Sequence, residues 1–261
     1  MYYTPSQLLI AIQRQRPLST SHFSCVKSIW HLHDETINIW THLIAALAFL
    51  VVLIRVWENK KRHRFEQDRA LQIFLPAAIL FFLSSSLRHV FQNHVDYIIW
   101  HSLEHCSITI FIWASSRSFC ILAYDHKQTA WRIHVAVSTG TAMVSIVLTL
   151  YRAFVRGHPT WTLYVVHTLY GSLAAIPALN RPSGLHWKSW RARKRLLSSF
   201  QAFILINAAG GIAYTIRVIG RMTESSADGL SASHYAMHMM VVIGACVYGC
   251  EVILDEYASR A

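Results

Sequence analysis

Residues 41–57 read THLIAALAFLVVLIRVW, an apolar run in which Arg55 is the only Asp, Glu, Lys or Arg. A hydrocarbon core about 30 Å thick takes a helix of roughly 20 apolar residues, so this run predicts a transmembrane helix. Six further apolar runs, separated by polar or basic stretches, follow along the chain. The predicted spans are 41–57, 71–91, 103–122, 133–151, 161–178, 199–219 and 234–256.

The composition of the whole chain agrees with this prediction. Of its 261 residues, 54% are hydrophobic and 14% are charged, which is unusual for a water-soluble protein. The sequence predicts an all-α membrane protein, a seven-transmembrane helix bundle at 41–256, with an N-terminal segment at 1–40 and a short tail at 257–261. The third run begins with Glu104 and His105 and contains a further charge, so six spans stay open as an alternative.

The net charge of +11 comes from Lys and Arg in short stretches between apolar runs. Loops 58–69 and 179–198 are strongly basic, as juxtamembrane loops commonly are. We expect these loops to meet anionic lipid headgroups, and no nucleic acid is predicted as a partner. The first 40 residues lack a long apolar run, so no cleavable signal peptide is predicted. The expected location is the plasma membrane or an endomembrane, as an integral, multi-pass protein.

The basic residues also predict an orientation. Outside the predicted spans, six Lys and Arg lie on the face where the chain starts and fourteen on the other face. Because cytoplasmic loops carry the excess of positive charge, this count places the N-terminal face outside the cell or in a lumen.

Ionisable side chains gather near one face of the predicted bundle. His89 ends the second span, Glu104 opens the third, and His234 and His238 open the seventh. The second span ends, and the third and seventh begin, on the face where the chain starts, so these residues share a similar depth. Ionisable groups inside a membrane are unfavourable and usually face the bundle interior, which makes each one a functional candidate.

These side chains have the residue types of a metal site. His234 and His238 are four residues apart, on one helix face, with Cβ atoms about 5–6 Å apart. His89 would complete a three-histidine set with an open fourth position, as is typical of catalytic zinc. Ser85, one turn before His89, would orient a ligand or hydrogen-bond a water, and Glu104 would act as general base. The sequence predicts zinc as the cofactor and Glu104 and Ser85 as catalytic residues.

Other interpretations of the histidines stay open. In a chain with 16 histidines the H-x-x-x-H spacing arises by chance, and helix packing through hydrogen bonds is the main alternative. Residues 101–105, HSLEH, match the H-x-x-E-H pattern of inverzincin peptidases, although those enzymes carry it in a soluble fold. His31, His33 and His42 flank the first span and are expected at the interface or in hydrogen bonds, not as ligands.

Residues 33–42, HDETINIWTH, resemble the HNETxNIWTH signature that opens the membrane core of the progestin and adiponectin receptor (PAQR) family, which includes the hemolysin III proteins. The resemblance continues through Ser85-x3-His89 and His234-x3-His238 and covers about residues 33–256. It implies seven spans and an intramembrane zinc ion held by three histidines, which map to His89, His234 and His238. The serine of the family maps to Ser85.

The resemblance also implies a function, a receptor in lipid-linked signalling. Some members look like zinc-dependent ceramidases, so ceramide or another sphingolipid is an implied partner and amide hydrolysis an implied activity. The alternative is a non-catalytic, zinc-stabilised receptor or regulator of zinc and lipid homeostasis, and the question of enzyme activity stays open. A pore, which the hemolysin name suggests, would need polar stripes that most spans lack. The question of protein partners stays open.

The chain departs from the family pattern at the third span. The family has an aspartate in an LDYSG-like segment, where this chain has Glu104 in LEHCS. The resemblance also implies a cytoplasmic N-terminus and zinc site, which conflicts with the count of basic residues.

Overall fold

Helices account for almost all of the described chain. The structure is a computed structural model that describes residues 16–58, 65–124, 129–155, 162–179, 190–223 and 230–258. Within these ranges it has eight α-helices, one 3-10 turn at Ile176–Leu179 and no β-strand. The helices are α1 His22–Ser28, α2 Thr36–Glu58, α3 Phe65–Val90, α4 Tyr97–Ala123, α5 Thr129–Phe154, α6 Thr162–Ala175, α7 Trp190–Thr223 and α8 Leu230–Ala258.

Six of the described helices, α2 to α5, α7 and α8, are long and apolar enough to cross a membrane. Their outward faces are apolar as well: Ile44, Leu47 and Val51 on α2 are each more than half exposed. A large apolar surface is unfavourable in water but suits lipid tails, and helices satisfy their backbone hydrogen bonds internally. The chain is therefore an integral, multi-pass membrane protein.

The predicted fifth span corresponds to α6, which has 14 residues and continues directly into the 3-10 turn. α6 runs parallel to α4. Near its start, His167 Nε2 lies 3.1 Å from the carbonyl oxygen of His105, and Tyr124, just beyond the end of α4, donates to the carbonyl oxygen of Pro177. The segment thus extends from the third turn of α4 to its C-terminal end.

Most helices are longer than the apolar runs that predicted them. α2 begins at Thr36 and α4 at Tyr97, so Glu104 and His105 lie inside α4, not at its first turn. Helical backbone hydrogen bonds continue through polar residues, although the hydropathy pattern predicts a loop at such residues. α1 was not predicted, and Ser21 caps it by accepting the Ser24 N–H. The central parts of the two basic loops, 59–64 and 180–189, lie outside the described residues.

Stacked aromatic rings hold the central helices together. Phe81 of α3 stacks on Phe111 of α4, with ring centroids 5.1 Å apart. Phe119 of α4 stacks on Phe200 of α7 at 4.2 Å, and the hydroxyls of Ser118 and Tyr248 are 2.7 Å apart. Aromatic pairs add about 0.5–1.5 kcal/mol each beyond their buried area. This core fixes α3, α4, α7 and α8 against one another. It therefore also fixes the positions of the ends of α3 and α8, which carry the histidines.

Candidate metal centre

Three histidines from two helices converge at one point in the bundle. His89 lies one residue before the C-terminal end of α3, and His234 and His238 lie in the first turns of α8. His89 Nε2 is 3.1 Å from His238 Nε2 and 3.4 Å from His234 Nε2, and the two α8 nitrogens are 3.0 Å apart. The structure thus brings together the three residues predicted as metal ligands.

The spacing of these nitrogens suits a tetrahedral zinc ion. Zinc–imidazole bonds of about 2.0–2.1 Å imply ligand nitrogens about 3.3 Å apart, close to the distances between the three Nε2 atoms. A single cation placed among these three ring nitrogens would meet a lone pair from each of them. The residues present therefore fit the zinc ion that the sequence predicts.

Glu35 sets the tautomer of His89. Glu35 Oε2 lies 2.6 Å from His89 Nδ1, and a carboxylate only accepts, so the Nδ1 proton donates to it. The Nε2 lone pair of His89 then points at the other two histidines. Asn38 Nδ2 donates to the same carboxylate oxygen at 2.8 Å. A carboxylate behind a ligating histidine is the usual support of a metal site.

Ser85, Glu104 and Arg88 form a second group beside the histidines. Ser85 donates to Glu104 Oε1 at 2.6 Å, and Arg88 Nε lies 3.5 Å from Glu104 Oε2. Arg88 also lies against the His89 ring, with Nη1 3.1 Å from both ring nitrogens, and it donates to the Tyr97 hydroxyl. The two predicted catalytic residues are thus bonded to each other, and a guanidinium links them to a predicted ligand.

His42 packs beneath the three histidines. Its ring lies 4.0 Å from that of His238, measured between centroids, and edge-on to Phe81 and Phe82. Both of its nitrogens are buried and make no hydrogen bond to the described residues. His42 was expected at the interface or in hydrogen bonds, whereas the structure places it in the core, outside the converging set and without a hydrogen bond to the described residues.

An N-terminal strap, residues 16–19, closes the same end of α3. Arg16 Nη1 donates to the Val90 carbonyl oxygen at 2.9 Å, and Nη2 donates to that of His89. Helix C-termini leave carbonyl groups without partners, and a cation there is favourable. Arg16 therefore supports the backbone of His89.

The turn before α2 presents Glu35 to the metal centre. Burial, together with the nearby positive charge of Arg16, lowers the pKa of His33 to about 4, so the ring is neutral at pH 7. Its Nδ1 accepts the Glu35 N–H at 3.1 Å. Tyr235, between the two α8 histidines, donates to the Asp34 carbonyl oxygen, which ties α8 to this turn.

The inverzincin-like stretch does not form a comparable centre. The rings of His101 and His105 lie 4.4 Å apart, and that of His105 lies 5.0 Å from His167 on α6. Among the residues that the structure describes, these side chains do not bring three ligand atoms within reach of one ion.

A family model for haemolysin-III related proteins matches residues 30–248, which include every predicted site residue. The chain belongs to this family. Relatives named as adiponectin receptor or as progestin and adipoQ receptor-like protein confirm the resemblance that the sequence motifs indicated.

Three relatives of this haemolysin III-related protein are similar over most of the chain. The adiponectin receptor protein of Drosophila melanogaster is 25% identical over 236 residues, 89% of this chain and 53% of the relative. Progestin and adipoQ receptor-like protein 1 of Caenorhabditis elegans is 26% identical over 247 residues, 89% of this chain and 54% of the relative. An ADIPOR-like receptor of Saccharomyces cerevisiae is 23% identical over 236 residues, 87% of this chain and 73% of the relative. The chain thus spans about half the length of the fly and worm relatives.

The sequence analysis did not identify three residues that contact His89: Glu35, Arg88 and Arg16. Glu35 lies in the quoted HDETINIWTH stretch, where an acid beside a predicted span was a usable signal. Arg88 precedes a predicted ligand inside an apolar run, so its charge needed a partner. Nothing in the sequence around Arg16 indicates its contact with α3.

Proposed function

We propose that this haemolysin III-related protein is a receptor-type membrane protein whose His89, His234 and His238 bind zinc, and that the site hydrolyses a lipid amide. The observation that carries the proposal is the convergence of three Nε2 atoms within 3.0–3.4 Å of one another. The receptor part is supported by the names of the relatives, and the hydrolase part by the residues beside the histidines.

The proposal includes seven membrane-spanning segments. α7 runs antiparallel to α8, because Arg195 near the start of α7 pairs with Glu251 near the end of α8 at 3.1 Å. His234 can meet His89 only if α7 ends on the face where α3 ends. α6 must then cross the bilayer before α7 begins. Its 14 residues plus the four-residue 3-10 turn measure about 29 Å, which suits a hydrocarbon core of about 30 Å.

Glu104 and Ser85 would handle the proton in amide hydrolysis. When bound, a zinc ion supplies Lewis acidity, polarising a carbonyl and lowering the pKa of a water. Glu104 would accept a proton and return it to the leaving amine, while the Ser85 hydroxyl holds its carboxylate in place. His89, Ser85 and Glu104 lie inside the bundle, so a substrate would have to reach them from the lipid. A sphingolipid amide such as ceramide has the required bond and chains.

The test pairs metal analysis with turnover. Purified protein in lipid nanodiscs should contain about one zinc per chain and release fatty acid from ceramide. His238→Ala should lose both. Glu104→Gln should keep the zinc and lose at least 100-fold in rate, the lower range of a general base contribution. His134→Ala, which removes a histidine of α5 that contacts Ser116, is the matched control and should change neither.

A second function is favoured by the contacts of Glu104. Its carboxylate already accepts from Ser85 and faces the Arg88 guanidinium, so it is poorly placed to take up a proton. In this alternative, zinc clamps α3 to α8 in a non-catalytic receptor or regulator of zinc or lipid homeostasis. Zinc-loaded wild type would then leave ceramide intact, and a chelator would lower its thermal denaturation midpoint. Fatty-acid release that is zinc-dependent and lost in Glu104→Gln would reject the alternative.

A further inference from the structure

A second group of metal-type ligands lies at the membrane face, outside the three-histidine centre. It comprises His22 at the start of α1, and His94 and Asp96 in the turn between α3 and α4. One nitrogen or oxygen of each residue lies within 4.8 Å of those of the other two. The rings of His22 and His94 are only 3.8 Å apart between centroids.

One carboxylate oxygen is the common point of this cluster. Asp96 Oδ2 lies 3.8 Å from His22 Nε2 and 3.5 Å from His94 Nδ1. Ligands of a tetrahedral zinc ion are about 3.3 Å apart, so both distances are within half an ångström of that value. These two contacts are therefore close to the spacing that a shared ion requires.

The two ring nitrogens of His94 differ in their hydrogen bonding. The backbone N–H of Asp96 donates to His94 Nδ1 at 3.1 Å, so the lone pair of this nitrogen is occupied within the turn, and a bound ion would take the place of this hydrogen bond. His94 Nε2 is buried and has no hydrogen-bond partner within the described ranges. The ring is thus held through Nδ1, while its Nε2 has no partner among the residues that the structure describes.

We propose that His22, His94 and Asp96 bind a second divalent transition-metal ion of the zinc type. Two imidazoles and a carboxylate form a common ligand set for such ions. His22 and Asp96 are about half exposed, so water would fill the remaining positions and the ion would exchange with the solution. Binding also replaces the existing hydrogen bond to His94 Nδ1. The site is therefore weaker than the buried three-histidine centre.

The position of this site gives it a role in holding the N-terminal strap. Ser19 N–H donates to the Asn93 carbonyl oxygen at 2.8 Å, and Val95 N–H donates to that of Ser19 at 3.2 Å. These bonds join the strap to the residues on either side of His94, and the same strap includes Arg16, whose guanidinium donates to the His89 carbonyl oxygen. An ion that joins α1 to the α3–α4 turn secures the strap next to His89.

The experiment titrates zinc into purified, tag-free protein by calorimetry. Wild type should show a tight and a weaker class of site. His22→Ala and Asp96→Asn should each weaken the second class at least tenfold and leave the tight class unchanged. His31→Ala, which removes an exposed histidine on the same face, should change neither class.

The outcomes separate this site from the three-histidine centre. His89→Ala should remove the tight class and keep the weaker one. The inference is overturned if wild type shows no weaker class of site, or if the weaker class survives in both His22→Ala and Asp96→Asn. Either result leaves the proposed function intact. Zinc that fills the weaker class should also raise the thermal denaturation midpoint of wild type and not that of His22→Ala. An equal rise in both proteins contradicts the proposed link to the strap.

Discussion

Glu35 contacts a predicted metal ligand 54 residues away, with its carboxylate 2.6 Å from His89 Nδ1. A carboxylate in this position fixes the orientation and tautomer of the imidazole and raises its basicity, whatever the function of the metal centre. Asn38 holds the carboxylate from the next turn of the chain. The residue therefore offers a test of the site that does not depend on a substrate.

Glu35→Gln should lower zinc affinity by about 10–100-fold, the range typical of such supporting residues. The amide keeps the shape of the side chain but removes its negative charge. Competition with a chromophoric chelator measures the change. Glu58→Gln at the other end of α2, where the side chain is exposed and pairs with Arg55, should bind zinc like the wild type. Equal affinity in Glu35→Gln and wild type would remove Glu35 from the site.

Arg16 is the residue that joins the strap to the α3 C-terminus. Arg16→Ala removes charged hydrogen bonds to two backbone carbonyl groups and to Ser28, and each such bond contributes about 1.5–3 kcal/mol. We expect a clear fall in the thermal denaturation midpoint and weaker zinc binding, because His89 loses backbone support. Arg55→Ala, which removes an exposed arginine, is the control. Unchanged zinc affinity in Arg16→Ala would limit the role of the strap to stability.

At the scale of elements, α8 packs tightly against the aromatic core. Gly249 faces Phe74 and Phe49: a Cβ added there would lie 3.1 and 3.3 Å from ring carbons of these two residues. Both rings are buried in a closely packed cluster, so neither has free space to move into. The close approach of α8 to α2 and α3 therefore depends on a small residue at this position.

Gly249→Ala should destabilise the protein by about 1–3 kcal/mol, because overpacking the core outweighs the better helix propensity of alanine. Gly140→Ala on α5 is the matched control, since a Cβ there would meet nothing within 4 Å. It should be neutral or slightly stabilising. Thermal denaturation in the same detergent compares the two. Equal midpoints for both variants would contradict the packing argument.

At the scale of the whole molecule, the proposed seven-segment arrangement predicts which residues share a face of the membrane. α3 and α8 can share the metal centre only when α6 crosses between α5 and α7. Glu58 at the end of α2 and Lys194 near the start of α7 should then lie on one face, and Lys27 of α1 on the other. A six-segment chain would place Lys194 on the face of Lys27.

Single cysteines test this prediction in a variant whose five cysteines are replaced by alanine. Glu58→Cys and Lys194→Cys should react with a membrane-impermeant reagent from the same side, and Lys27→Cys only from the opposite side. The same labelling decides the orientation, on which the basic-residue count and the family resemblance disagree. Labelling of Lys194→Cys from the side of Lys27→Cys would exclude seven segments.

Much of the bundle and three of its site residues could be predicted from the chain alone. Runs such as 41–57 are apolar over the length that a bilayer requires, and lipid imposes helical structure on such runs. The order of spans placed His89, His234 and His238 near one face, because alternate crossings decide which helix ends meet. The helix boundaries were less predictable, since α2 and α4 continue through polar residues outside the apolar runs.

Only the tertiary structure decided which side chains meet at that face of the bundle. The spans are apolar nearly all round, so their hydropathy pattern does not indicate how each helix is rotated about its axis. That rotation pairs His89 with Glu35, directs Ser85 to Glu104, and turns Arg88 towards both groups. Hydropathy determines that a segment lies in lipid, whereas packing against the aromatic core determines which of its faces points inward.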